Sequence, residues 1–120
     1  MSQHNRSYAV TAGTPINLAT EGTRIPTTAD ATFAWQIAIQ VKDGSTGICY
    51  VMDGIIIGRT PAASVDGDLS LEVGPPSAGQ AGPAYNKTQP QGQDRAAIKI
   101  HEMWIDVSVN STVIVSYDKM

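Results

Sequence analysis

Period-two alternation dominates this chain. Between Thr32 and Lys42 the segment TFAWQIAIQVK sets Phe33, Trp35, Ile37, Ile39 and Val41 on one face, with Thr32, Ala34, Gln36, Ala38, Gln40 and Lys42 on the other. Successive strand side chains point to opposite sides of a sheet, so this predicts one long strand with an apolar face on a core and a polar face outward. Asp43-Gly44-Ser45-Thr46-Gly47 breaks the pattern with turn residues, and Ile48 to Met52 resumes it, which predicts an antiparallel hairpin. A second hairpin is expected near the end of the sequence. There Met103, Ile105, Val107 and Val109 alternate with Trp104, Asp106 and Ser108, Asn110-Ser111 supplies a tight turn, and Val113, Val115 and Tyr117 continue on the far side. β-Branched residues crowd both arms, as half-buried strands favour.

Weaker signals lie between. Ser7 to Thr11 and Ile16 to Leu18 read as strands around a turn at Gly13-Thr14-Pro15. Ile55 to Gly58 reads as a short buried strand or bulge, Leu69 to Val73 as an alternating strand, and Ala97 to Ile100 as a short one. Thr20 to Asp30 is a polar loop. Residues 74–94, GPPSAGQAGPAYNKTQPQGQD, form a long Gly-, Pro- and Gln-rich segment without periodicity, and connections of that length usually serve as binding loops, arms or tips. About seven or eight short strands and no helix predict an all-β fold, an antiparallel β-sandwich or jelly roll, in a single domain over residues 1–120.

Composition narrows the partners. The chain has 120 residues, 42% hydrophobic and 16% charged, and a net charge of −3. Charge falls below the ~25% typical of globular domains, which fits an exterior that faces other protein. With no cluster of Lys or Arg, nucleic acid is not an expected ligand. No apolar run approaches the ~20 residues of a membrane-spanning helix, so no membrane is expected either. The opening MSQHNRSY lacks the apolar stretch of a signal peptide, and one cysteine allows no internal disulfide; both fit a reducing compartment.

Candidate chemistry is thin. Cys49 lies in a predicted strand on the same face as Val51, the usual place of a small apolar core residue. His101 beside Glu102 lacks a third group for a catalytic triad. Asp66, Asp68, Ser70 and Glu72 alternate through DGDLSLE, but Leu71 stands where an EF-hand needs its glycine. GIIIGRTP has the spacing of no phosphate loop. No catalytic residue, cofactor or metal ligand is expected, and no enzyme. β-Sandwiches also display aromatic platforms for sugars, which keeps a carbohydrate- or receptor-binding module as the alternative function. Trp35 shares its face with aliphatic residues and is expected in the core, whereas Trp104, alongside Asp106 and Ser108, is expected to be exposed at a subunit contact.

The segments YAVTAGTPINLA, TFAWQIAIQVKDGSTGICYVMDG with IIIGRTP, and IHEMWIDVSVNSTVIVSYDKM together resemble small all-β virion proteins of tailed bacteriophages, above all those that decorate or cement the capsid exterior. The resemblance is one of layout and spans the chain apart from 74–94. It implies a structural protein that self-associates, with a homotrimer favoured, and reinforces the head shell by bridging copies of the major capsid protein. It also implies synthesis in the bacterial cytoplasm and a final place on the capsid surface, with head–tail and tail roles as structural alternatives. Residues 1–7 read as a flexible arm that orders on the lattice. Arg6, Tyr8, Tyr85 and Trp104 are the candidate partner contacts.

Overall fold

A computed structural model describes residues 2–59, 61, 70–76, 84–88 and 97–120. Among them the strands are β1 (Ser2–Val10), β2 (Ile16–Asn17), β3 (Phe33–Val41), β4 (Cys49–Met52), β5 (Ser70–Val73), β6 (Tyr85–Thr88), β7 (Ile98–Lys99), β8 (Trp104–Val107) and β9 (Ser111–Lys119). They form two antiparallel sheets. Sheet A runs β1-β9-β3-β6, with β7 also paired to β3, and sheet B runs β2-β8-β4-β5. The expected all-β sandwich is the fold observed. Setting aside the two-residue β7, the strand order is that of a jelly roll, in which the chain steps between sheets at almost every connection.

That stepping overturns both expected hairpins. β3 belongs to sheet A and β4 to sheet B; β8 belongs to sheet B and β9 to sheet A. A hairpin would keep both apolar faces on one sheet, looking the same way. Crossing over instead turns Ile37, Ile39 and Val41 of β3 towards Cys49 and Val51 of β4, and all five are buried in one core. The turn chemistry agrees. A two-residue hairpin needs left-handed backbone, and among the described residues Glu21 is the only non-glycine with positive φ, so Asn110 does not form one. Its side-chain oxygen accepts the Ala12 N–H at 2.9 Å instead.

The two crossovers knit together. Lys42 N–H donates to Thr112 O (2.9 Å), Thr112 N–H to Ser45 Oγ (2.9 Å), Gly47 N–H to Ser111 Oγ (3.0 Å), and Ile48 N–H to Ser108 Oγ (2.9 Å). Gly47 lies so close to this partner that a Cβ there would overlap Ser111 Oγ and stand 2.7 Å from Val109 O.

β3 carries a second departure. Ala34 pairs with Lys119 and Gln36 with Asp118, so the register slips and Trp35 is the extra residue of a bulge. The bulge inverts the parity of everything before it. Ala34 is buried, whereas Phe33 and Trp35 are 40% and 38% exposed; beyond the bulge Ile37, Ile39 and Val41 face the core as alternation predicts. Trp104 is reversed in the opposite sense. β8 is an inner strand of sheet B and is buried on both faces: Ile105 and Val107 join the main core, while Trp104, 1% exposed, packs with Met52 and Ile55 on the far side. Residues Ile55 to Gly58 are therefore not a strand; they form a lid and turn in which Ile55 N–H donates to Glu102 O and Arg59 N–H to Ile56 O.

Two further expectations change. Residues 2–7 are not an arm but most of β1, paired with β9 from Ser2–Lys119 to Val10–Ser111. The segment 74–94 contains β6, paired with β3 between Gln36–Thr88 and Ile39–Tyr85; its residues 77–83 and 89–94 lie outside those described. So do residues 62–69, which hold Leu69, the first residue of the strand expected over Leu69 to Val73 and observed as β5, and the first acidic positions of DGDLSLE.

Candidate binding surfaces

The expected contact residues near the start of the chain are engaged within the fold. His4, Arg6, Tyr8 and Val10 share the inward face of β1, opposite Tyr117, Val115, Val113 and Ser111 of β9. Glu21 closes over them, its backbone held left-handed at φ 61°. Its carboxylate accepts from Arg6 Nη1 at 2.8 Å and from Tyr8 Oη at 3.3 Å. His4 Nε2 lies 3.2 Å from Glu21 Oε1 without a hydrogen bond between them, and the ring stacks on Tyr117 at 4.6 Å. Burial, then the Glu21 charge, raises the Tyr8 hydroxyl above the ordinary phenol range, and the same two causes raise Tyr117. Arg6 and Tyr8 thus clasp β1 to the Glu21 loop. Trp104 is sealed in the small cluster behind sheet B, its indole N–H buried without a partner.

Arg6 keeps half of its side chain exposed beside Glu21, and the other expected contact that stays accessible is Tyr85. It sits on the inward side of β6, opposite Ile39, half-buried at the open side of the sandwich, where β6 of sheet A and β5 of sheet B end their sheets. Leu71 of β5 pairs with Val51, which points it inward, yet it is 55% exposed because nothing described covers that edge. Leu71, Val73, Ala84 and Tyr85, with the polar residues Glu72 and Asn86, line a hollow of about 340 Å³. Lys87 Nζ reaches Asp53 Oδ2 across the same side at 2.7 Å, and this hydrogen bond chiefly raises the lysine above its ordinary range.

The outer face of sheet A differs in kind. Pairing aligns Gln3 and Asn5 of β1, Ser116 and Asp118 of β9, Gln36 and Ala38 of β3, and Asn86 and Thr88 of β6 on one side. Gln3 Nε2 donates to Ser116 Oγ (2.7 Å), Ser116 Oγ to Asn5 Oδ1 (2.6 Å), and Gln36 Nε2 to Asp118 Oδ2 (2.9 Å). A hollow of about 140 Å³ opens there over Ala38. The two exposed aromatics, Phe33 and Trp35, lie at the start of the same strand, Phe33 edge-on to His101 at 5.4 Å. Alternation gives no sign of this surface, because it forms only once four strands are side by side and a bulge has turned Trp35 outward.

The titratable groups that drew notice in the sequence are structural. Burial, then the Asp106 charge, pushes the Cys49 thiol up to about 12, so it stays protonated and unreactive at neutral pH. His101 Nδ1 accepts the Thr32 N–H at 3.1 Å, and Asp106 accepts N–H groups from Gly13 (3.0 Å) and Val107 (2.7 Å). Among the described residues no three His, Cys, Asp or Glu side chains lie close enough together to hold a metal ion, and no helix is long and apolar enough to cross a membrane. Compared with models of protein families and with curated proteins, the chain matches none.

Proposed function

We propose that this chain is a structural protein of a tailed-phage virion, of the capsid-decorating type, which self-associates as a trimer and bridges copies of the major capsid protein on the capsid surface. The observation that carries the reading is the open side of the sandwich. Leu71 is turned inward yet left more than half exposed, and with Tyr85 it lines a hollow large enough to take side chains from a neighbour. Fully exposing a leucine forgoes roughly 1.5–3 kcal/mol relative to burying it, and a partner recovers that. The low charge and the layout of the strands support the same reading. By analogy, jelly rolls recur in viral capsid proteins.

The test has two stages. Light scattering over a concentration series gives the mass of the purified protein, and capsids prepared without it are then imaged after mixing. The expected result is a trimer and regular added density on the shell, with Leu71→Asp and Tyr85→Ala each reducing both. A monomer at every concentration that leaves the capsids bare overturns the proposal.

A further inference from the structure

We propose that the outer face of sheet A is a binding site for a neutral carbohydrate, its amide-rimmed hollow holding one sugar ring and Trp35 offering a stacking surface beside it. This hollow meets the one on the open side only at Asn86, which lines both, and the inference does not rest on the assembly reading.

The first argument is chemical. Ala38 and the inward-facing Ile37 and Tyr117 line part of the hollow, and Gln3, Gln36, Asn86, Thr88 and Ser116 line the rest. These last five side chains are amides and hydroxyls, each able to donate and to accept, and none is charged. The nearest carboxylate on the face, Asp118, is occupied by the Gln36 amide. A lining of this kind matches the vicinal hydroxyls of a neutral sugar. It supplies no cation for a phosphate, a sulfate or a sialic acid, and no apolar depth for a lipid.

The second argument is preorganisation. Gln3, Asn5 and Ser116 are tied to one another, and Gln36 to Asp118, so these groups are fixed before a ligand arrives. In this arrangement Gln3 Oε1 and Gln36 Oε1 remain as acceptors. At about 140 Å³ the space suits a single ring and falls below the ~300–1,000 Å³ of sites for larger ligands.

The third argument is the bulge. Strict alternation would bury Trp35 and send only Gln36 outward; the extra residue exposes both in succession, and Gln36 lines the hollow. Bulges re-aim side chains beside functional sites, and this one moves an indole from the core, where it would be fully buried, to a face where it is 38% exposed. A planar indole beside fixed amides is what the C–H face and the hydroxyls of a sugar require together.

The experiment applies the full chain to a printed array of neutral and acidic glycans, followed by titration of the best-bound neutral oligosaccharide with NMR detection of the Trp35 indole and the Gln3, Gln36 and Asn86 side-chain amides. The expected result is binding to neutral glycans, with shifts confined to these groups. Trp35→Ala and Asn86→Ala are each expected to weaken binding at least about tenfold while thermal unfolding shows both variants still folded at the temperature of the titration. An array without neutral hits, a preference for acidic glycans only, or affinity retained in both variants overturns the proposal.

Discussion

Trp104 is sealed between Met52 and Ile55, and Trp35 stands on a surface, so the same truncation has unequal consequences at the two sites. Trp104→Ala leaves a cavity behind sheet B and is expected to cost about 3–5 kcal/mol in urea unfolding. Trp35→Ala truncates a side chain that is 38% exposed and is expected to cost clearly less, about 1 kcal/mol. Iodide provides an independent check, since it should quench the fluorescence of Trp35 and leave that of Trp104 nearly untouched. Equal costs for the two substitutions would contradict the bulge. Nothing in the alternation around Trp35 distinguishes this outcome. Phe33, Trp35 and Ile37 follow an unbroken period of two, and the slip at Ala34 becomes visible only against the fixed register of β9. For Trp104 the reason lies in layering: polar Asp106 and Ser108 mark its face as outward, but Ile55 folds over that face from a segment about fifty residues earlier.

At the scale of elements, the fold depends on two crossovers that share hydrogen bonds. Gly47 is required there by space, since its neighbours Ser111 Oγ and Val109 O occupy the volume of any side chain. Gly47→Ala is therefore expected to destabilise by about 1–3 kcal/mol, the usual cost of overpacking. Urea midpoints measure this, and a midpoint equal to that of the parent protein would show that the crossovers are not packed as described. Strand positions were largely legible in the sequence, because one buried face per strand is a local property: β3, β4, β8 and β9 all fall where alternation places them. Their partners were not. A strand, a turn and a strand look alike whether the chain doubles back within one sheet or crosses to another, and what decides is the apolar face each strand must cover. The first five residues of β1 and the whole of β6 are not legible for a related reason. Gln3 and Asn5, like Asn86 and Thr88, put polar residues on a solvent face, while their inward positions hold His4, Arg6 and Lys87 instead of aliphatic side chains.

For the molecule as a whole, the shifted groups point to an alkaline limit. The Cys49 thiol and the Tyr8, Tyr85 and Tyr117 hydroxyls are all raised, chiefly by burial, so the folded chain keeps protons that the unfolded chain releases. Stability falls with rising pH wherever the native state binds more protons. For Cys49 that loss begins near pH 9 and runs towards about 12, at roughly 1 kcal/mol per pH unit. The Lys87–Asp53 pair acts in the same sense, fully present below the ordinary lysine range and lost as pH passes the raised value. On the acid side, Arg24 and then the Thr27 N–H hold Asp30 below the usual carboxylate range, so its share is present at neutral pH and lost on acidification. Urea midpoints are expected to be flat between about pH 5 and 8 and to drop above pH 9, with Cys49→Ala delaying the onset towards the tyrosine range; a midpoint that rises between pH 9 and 11 would refute this assignment. The position of β9 has a consequence of another sort. It follows every other strand in the chain, yet it sits between β1 and β3 in sheet A. During translation, then, the first and third strands leave the ribosome without the neighbour that joins them, and sheet A cannot be completed until residues 111–119 have been made.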